Sequence, residues 1–486
     1  MKRSLALILI ILFIFLSCGT KTENDKELHT ASLLIETNSP ETEIKDSLPY
    51  GLDFDGETIN ISVRGDNNTM IEFFAEESGD IVEDAVYRRN SVVEERLNIK
   101  INVIEGKPWE QYDQTVTAIR ASINAGDNMF DLIAGWSARI PILAAEGLFM
   151  NLHELPYLKA TEPWWNKSIV SELTIGDKLN FIAGDINLTC LERCVIIYEN
   201  NKIREDYNLP NIYDTVFDGK WTLEYLNNLV KNIHHDLNGD GVMNENDFYG
   251  ALWDTVNQAD AFLQSSNIRM IKKDSDNIPY FEIEYEKLSA LVDRIYDFFF
   301  NNEGVYAADY SAKNGDYTAM FKNNQGYLTS GYLGHASEVY RDFETEYSII
   351  PFPKYDDLQE KYLTRVQDGL SLLCVPLDCT KLEAVGAFME AAACESYKNV
   401  TPVYFDIAMK VKYARDEIST KMLDIIRDGI NLPFASIYNE SIGSPWFVMR
   451  SLMTAKSNNF ASWYETNRPR IETAIEKLVE QMLEAG

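Results

Sequence analysis

Apolar and polar residues repeat with two different periods along the first third of the chain. Thr58 to Val63 (TINISV) alternates residue by residue, which predicts a strand. Val82, Val86, Val93 and Leu97 then fall on one helical face, with Glu, Arg and Asn between them. Lys100 to Ile104 predicts a second strand. Trp109, Tyr112, Val116, Ile119 and Ile123 make an amphipathic helix that stops at Gly126. Asp131 to Ala134 predicts a third strand, followed by Gly135 and Trp136. Strand and helix in strict alternation imply parallel pairing, with helices covering the sheet.

The segment 177–200 organises the middle of the chain. Leu179 to Ala183 and Cys194 to Tyr198 are short apolar runs of the kind buried in a sheet. The residues between them are few for a crossover helix, and Gly184 and Asn187 disfavour one. The pattern therefore predicts two strands in different sheets joined by an extended strap, where the chain passes from one α/β lobe to another. Beyond it, Thr222 starts a helix with Leu223, Leu226, Val230 and Ile233 inward, and Phe248 to Leu252 reads as a strand. Tyr285 to Phe300 reads as helix; Tyr327 to Thr329, Tyr347 to Pro351 and Leu370 to Val375 read as strands. A closing helix buries Ile471, Ile475, Leu478 and Met482.

Length and charge sharpen this picture. A chain of 486 residues exceeds one ordinary core, so two or more domains are expected. A formal net charge of −32 excludes a nucleic-acid partner, which needs basic patches. Lys2 and Arg3 precede an apolar run ending at Leu16, too short to span a bilayer comfortably and shaped like an export signal. Phe15-Leu16-Ser17-Cys18 resembles the bacterial lipobox, with Phe15 where that pattern usually has Leu. The resemblance makes 1–17 the signal peptide and Cys18 the lipidated residue, tethering the protein to the extracytoplasmic face of the cell membrane. Residues 18–50, poor in apolar side chains to about Leu48, are expected to form a flexible stalk. The five cysteines after Cys18 are Cys190, Cys194, Cys374, Cys379 and Cys394. They show no CxxC spacing, so they read as buried small hydrophobes, with a Cys190–Cys194 or Cys374–Cys379 bridge left open.

Taken together, these stretches resemble an extracellular solute-binding lipoprotein of an ABC transporter, in family 1, the maltose-binding-like branch. The motifs that carry the likeness are QDGLSLLCVP (367–376), Ser444-Pro445-Trp446-Phe447-Val448-Met449-Arg450 and the terminal RPRIETAIEKLVEQM. The resemblance implies an α/β, two-lobe periplasmic-binding-protein-like fold (type II), its lobes joined by three hinge crossovers. These would lie at Gly184–Thr189, Gln325–Tyr332 and Gln367–Ser371. Lobe 1 would comprise 51–184 plus 332–367, and lobe 2 would comprise 190–326 plus 372–486. The expected partners are a small solute, a sugar by preference, and the ABC permease subunits; the receptor is expected to act as a monomer.

Ligands of open parallel sheets sit beyond the carboxyl ends of strands. That geometry nominates Trp136, Asp185, Trp253, Tyr332, Asp368 and Trp446 as ligand-binding residues. Sugars suit aromatic platforms and carboxylate acceptors, although core packing competes for every tryptophan. Asp185 and Asp368 read first as hinge caps. Trp164, Trp165, Trp221 and Trp463 are assigned to the core. Residues 236–247 fit the calcium-loop template, with Asp236, Asn238, Asp240, Val242 (through its carbonyl), Asn244 and Asp247 as ligands and Gly241 at the turn. Asp247 at the twelfth position resembles the dockerin-type variant, and the ion, Ca2+, is read as structural.

The sequence contains no HExxH, GxSxG, GxxxxGK[ST] or GxGxxG. The expectation is a receptor without catalysis. The alternative is a secreted, envelope-anchored carbohydrate-active enzyme working through a carboxylate pair, or a surface binding protein.

Overall fold

A computed structural model describes residues 44–308, 316–410 and 417–484. The signal peptide and Cys18 lie outside them. The expected stalk ends earlier than its composition suggested. Asp46 pairs with Arg96 and Leu48 is buried, so the chain is already docked from Ile44 onward.

The first sheet begins with strand β1 (Glu57–Val63). Asp80 then caps helix Ile81–Leu97, accepting from the backbone N–H of Val82 and Glu83. Strand β2 (Ile99–Glu105) follows, then helix Tyr112–Ala125, which Gly126 ends at φ +65. Strand β3 (Leu132–Trp136) completes the predicted alternation. β1 pairs in parallel with both β2 and β3, as the pattern required.

The second sheet contains β4 (Val195–Asn200), β5 (Phe248–Asp254), β6 (Val305–Ala308), β7 (Gly326–Tyr332) and β8 (Tyr347–Ile350). Its order is β6-β5-β7-β4-β8, with His234–His235 pairing beside β5. β5 is parallel to β6 and β7, while β4 is antiparallel to β7 and β8. Strand β9 (Ser371–Cys374) returns to the first sheet, antiparallel to β3.

These pairings correct several expectations. Gln325–Tyr332 is not a crossing: β7 lies inside the second sheet, bonded on both edges. Tyr347–Ile350 belongs with β4 rather than with lobe 1, and Ser371–Cys374 belongs with lobe 1 rather than lobe 2. An apolar run reveals that it is buried but not which neighbour it pairs with. Between Leu179 and Ala183 only two short contacts form: Lys178–Leu179 closes a two-residue hairpin and Ile182 makes a single bridge to Leu373. The pairing stops there because the chain turns at Gly184, where an added Cβ would lie 2.1 Å from the Trp164 carbonyl oxygen. The strap itself holds one helical turn, Leu188–Glu192.

The C-terminal part covers both sheets. Helix Leu382–Glu395 packs on helix Ile81–Leu97, and helix Glu417–Asp428 lies against β8. Helix Phe460–Glu484 buries Ile471, Ile475, Leu478 and Met482 as expected. Trp164, Trp165 and Trp221 are core residues, while Trp463 is half-buried against Phe460. All five described cysteines are buried and free, so neither candidate bridge forms. Among the described residues no helix is long and apolar enough to cross a membrane.

Gly386 sits where helix Leu382–Glu395 meets the turn at Pro156, and a Cβ there would fall 1.8 Å from the Pro156 carbonyl oxygen. Gly386→Ala is expected to lower stability by about 1–3 kcal/mol through overpacking. A urea denaturation midpoint equal to wild type would refute that contact.

Candidate functional site

The carboxyl ends of the parallel strands deliver the polar groups of the site. Arg64 follows β1, Trp136 and Ser137 end β3, Asp254 ends β5 and Tyr332 ends β7. Asp368, on the return toward β9, joins the two sets. Its carbonyl accepts from Trp136 Nε1 at 2.5 Å and Ser137 Oγ at 2.8 Å, while Arg64 Nη2 donates to the Gly369 carbonyl at 3.2 Å. Asp368 also lies close enough to Tyr332 and Arg450 to act on both electrostatically. Trp136, Tyr332 and Asp368 are therefore brought together.

Trp136 is not an open platform. The guanidinium of Arg64 lies 5.3 Å from its ring centroid and that of Arg139 lies 5.2 Å away. Arg139 is held in turn by Asp113 and Glu440. The same arrangement recurs at Tyr332, beneath Arg193 at 5.7 Å, and at Phe447, beneath Arg450 at 3.7 Å.

Beside the second sheet lies a buried ion cluster that sequence inspection missed. Asp260 is 0 % exposed and faces two arginines from distant segments. Arg450 Nε donates to its Oδ2 at 2.6 Å and Arg365 Nη2 lies 3.5 Å from the same oxygen. Burial raises the Asp260 carboxyl, against the opposing pull of Arg450 and Arg365. Burial also works against the Arg450 cation, yet Asp260 beside it holds it above its ordinary value. Nearby, Asp254 Oδ1 caps the next helix through the N–H of Val256 and Asn257, and Tyr317 OH donates to Oδ2 at 3.4 Å. No spacing rule links residues 260, 365 and 450; only their meeting around one buried carboxylate in the folded chain identifies them.

The other nominated residues lie elsewhere. Trp253 is 0 % exposed and packs among Phe262, Phe298 and Phe352, because strand alternation turns it under the covering helices rather than toward the strand end. Trp446 is 2 % exposed, with its indole N–H buried and unpaired. Asp185 lines a separate pocket of about 530 Å³ with Trp165, Tyr397 and Arg427. Its carboxylate accepts from Thr401 Oγ1 at 2.6 Å and lies 3.9 Å from Arg427 Nη2.

In the loop 236–247, Gly241 has φ +80, as the calcium template demands. Asp236, Asn238, Asp240, Asn244 and Asp247 each accept backbone N–H groups of the loop itself. Among the described residues no three or more His, Cys, Asp or Glu side chains are gathered to hold a metal ion.

Burial lifts the Asp185 carboxyl from 3.8 to about 6, against the pull of Arg427 and Thr401. A native carboxyl with a raised value holds its proton more tightly than the unfolded chain. Its stabilising contribution is therefore complete below pH 3.8 and is lost as pH rises through 6. Asp185→Asn should remove that slope, a relative gain on the order of 1–3 kcal/mol at pH 7 over pH 4. Chemical denaturation at the two pH values measures it, and parallel profiles for variant and wild type would refute it.

Residues 89–393 match the family model described as bacterial extracellular solute-binding protein, well over half of the chain. Three solved structures share the fold at low identity. A sugar transporter from Rhizobium etli in an open conformation gives a TM-score of 0.55 at 16% identity, covering 87% of this chain and 98% of that one. M. tuberculosis UspC gives 0.54 at 12% identity, covering 86% and 100%. A cyclo/maltodextrin-binding protein complexed with maltotetraose gives 0.51 at 12% identity, covering 88% and 97%. No curated protein matches the sequence. The architecture is thus the α/β periplasmic-binding-protein fold of the maltose-binding kind. With a family match across most of its length, the chain belongs to the bacterial extracellular solute-binding proteins, non-catalytic receptors of ABC transport.

Proposed function

We propose that this receptor captures a small carbohydrate between two lobes that close about a hinge, and presents it to an ABC permease. Lipid attachment at Cys18 would keep it on the extracytoplasmic face of the membrane. The observation that carries the carbohydrate reading is the set of unpaired donors and acceptors buried beside the second sheet, which a solute would meet where lobe movement opens them. Arg365 Nε is a buried donor without an acceptor, while Gln258 Oε1 and Asp260 Oδ1 are buried acceptors without a donor. A hydroxyl group donates and accepts at once, so a polyhydroxylated solute can serve both kinds together. Arg365 and Arg450 are set against Asp260, Asp254 and Asp368, a near-balance of charge that suits a neutral ligand. The maltotetraose complex and the Rhizobium etli sugar transporter among the fold relatives point the same way.

The same reading assigns the loop Asp236–Asp247 to a structural calcium ion, on its template spacing and the positive φ of Gly239 and Gly241. The carboxylates would gather only when the cation arrives.

Titration calorimetry of the chain lacking residues 1–20 against an oligosaccharide panel tests the solute, run in calcium buffer and again in chelator. Saturable 1:1 heat with one sugar is expected; no heat with any sugar, but heat with amino acids or peptides, would replace the carbohydrate. A melting temperature that falls in chelator is expected for the calcium loop, and an unchanged one would retire it.

A further inference from the structure

Glu72 is 0 % exposed and lies on the excursion between β1 and helix Ile81–Leu97. Its Oε1 accepts from Thr189 N at 2.8 Å and from Thr189 Oγ1 at 2.5 Å, and Ser371 Oγ donates to Oε2. One carboxylate thus grips both the strap after Gly184 and the return into β9. The ring is closed by Ser371 N donating to Thr189 Oγ1 at 3.0 Å and Asn187 Nδ2 donating to Ser371 Oγ at 3.0 Å. Behind it, Arg89 Nη2 donates to the Glu72 carbonyl at 2.5 Å and Nη1 to Ser396 Oγ at 3.2 Å.

Most of the remaining bonds sort the two straps between the sheets; Arg193 N to the Thr189 carbonyl, Leu370 N to the Gln367 carbonyl and Gly369 N to Gln367 Oε1 are links that cross between them. Toward the first sheet, Asp368 and Gly369 are held through their carbonyls by Trp136, Ser137 and Arg64, and Ser137 N donates to the Leu370 carbonyl at 3.1 Å. Toward the second sheet, Gly334 N donates to the Glu192 carbonyl, Gln367 N to the Arg193 carbonyl and Leu333 N to the Cys194 carbonyl. Cys194 and Val366 also form a bridge. Residues through Thr189 and from Asp368 onward are therefore tied to the first sheet. Residues from Glu192 onward and back to Gln367 are tied to the second.

We infer that the bending joint of this receptor is the pair Cys190–Leu191 and Gln367–Asp368, and that Glu72 is the positioning residue that fixes Thr189 and Ser371 to the first lobe. This rests on the closing-receptor reading given above. Asp368 then travels with the first lobe while Tyr332, Arg365 and Arg450 travel with the second. A solute between them is gripped only as far as Glu72 keeps the Asp368 side of the joint in register.

Glu72→Gln retains the shape but cannot accept on both oxygens. In the intact chain, amide exchange across 187–192 and 368–372 should rise at least tenfold, with β1 and β5 unchanged. Distances between spin labels at Val92→Cys and Phe217→Cys should broaden. Thr189→Val, which loses the hydroxyl as donor to Glu72 and as acceptor for Ser371 N but keeps its own N–H, should give a change of the same kind, and Thr189→Ser should behave as wild type. Unchanged exchange in both straps, or a uniform rise through both sheets, overturns the assignment. Exchange is read without any solute, so a failed solute reading shows in the titration and a failed joint shows here.

Discussion

A carboxylate withdrawn fully from water must find hydrogen-bond donors or forgo its charge, and Glu72 finds three on two separate passes of the chain. Burial raises its carboxyl, and the donors Ser371 and Thr189 pull it back, with Arg64 adding to them. The crossing backbone is itself buried, so its N–H groups need partners that sheet pairing cannot supply at that point. Glu72 provides one of them directly, at Thr189 N. This single side chain therefore holds two separate passes of the chain, at Thr189 and Ser371, against the first sheet. The nearby anchors from Trp136, Ser137 and Arg64 work on the same return segment.

The candidate site shares those anchors. Its polar residues come from strand ends, where the last side chain of each parallel strand has no further strand to pack against. What fills the space is guanidinium against carboxylate, with aromatic rings lying beneath arginines rather than open to a ligand. Asp260 is the extreme case, one carboxylate between Arg365 and Arg450 at the meeting of three distant segments. Such a cluster stabilises little in net terms, because desolvation offsets attraction. It does hold donors and acceptors at set positions, which a receptor requires.

The pattern in the chain was enough for the first lobe. TINISV, KINVI and DLIA appeared as parallel strands with two amphipathic helices, because periodicity and capping are local properties. Trp136, Tyr332 and Asp368 were legible as candidates because each lies at a strand end or on a strap. Trp253 was not, since its place one residue before a strand end left its side chain on the covered face. Trp446 shared that fate: an aromatic motif in sequence does not distinguish a packed ring from an accessible one.

The sequence by itself determined the strands and helices of the first lobe, the buried face of its helices, and that chain and family belong together. Only the tertiary structure decided which strand joins which sheet, because β7, β8 and β9 are all largely buried and pairing depends on distant neighbours. It alone brought Asp260 to Arg365 and Arg450, and Glu72 to Thr189 and Ser371. Those contacts span more than a hundred residues in the case of Glu72 and Thr189, beyond the reach of any local period, and they form only once both sheets are in place.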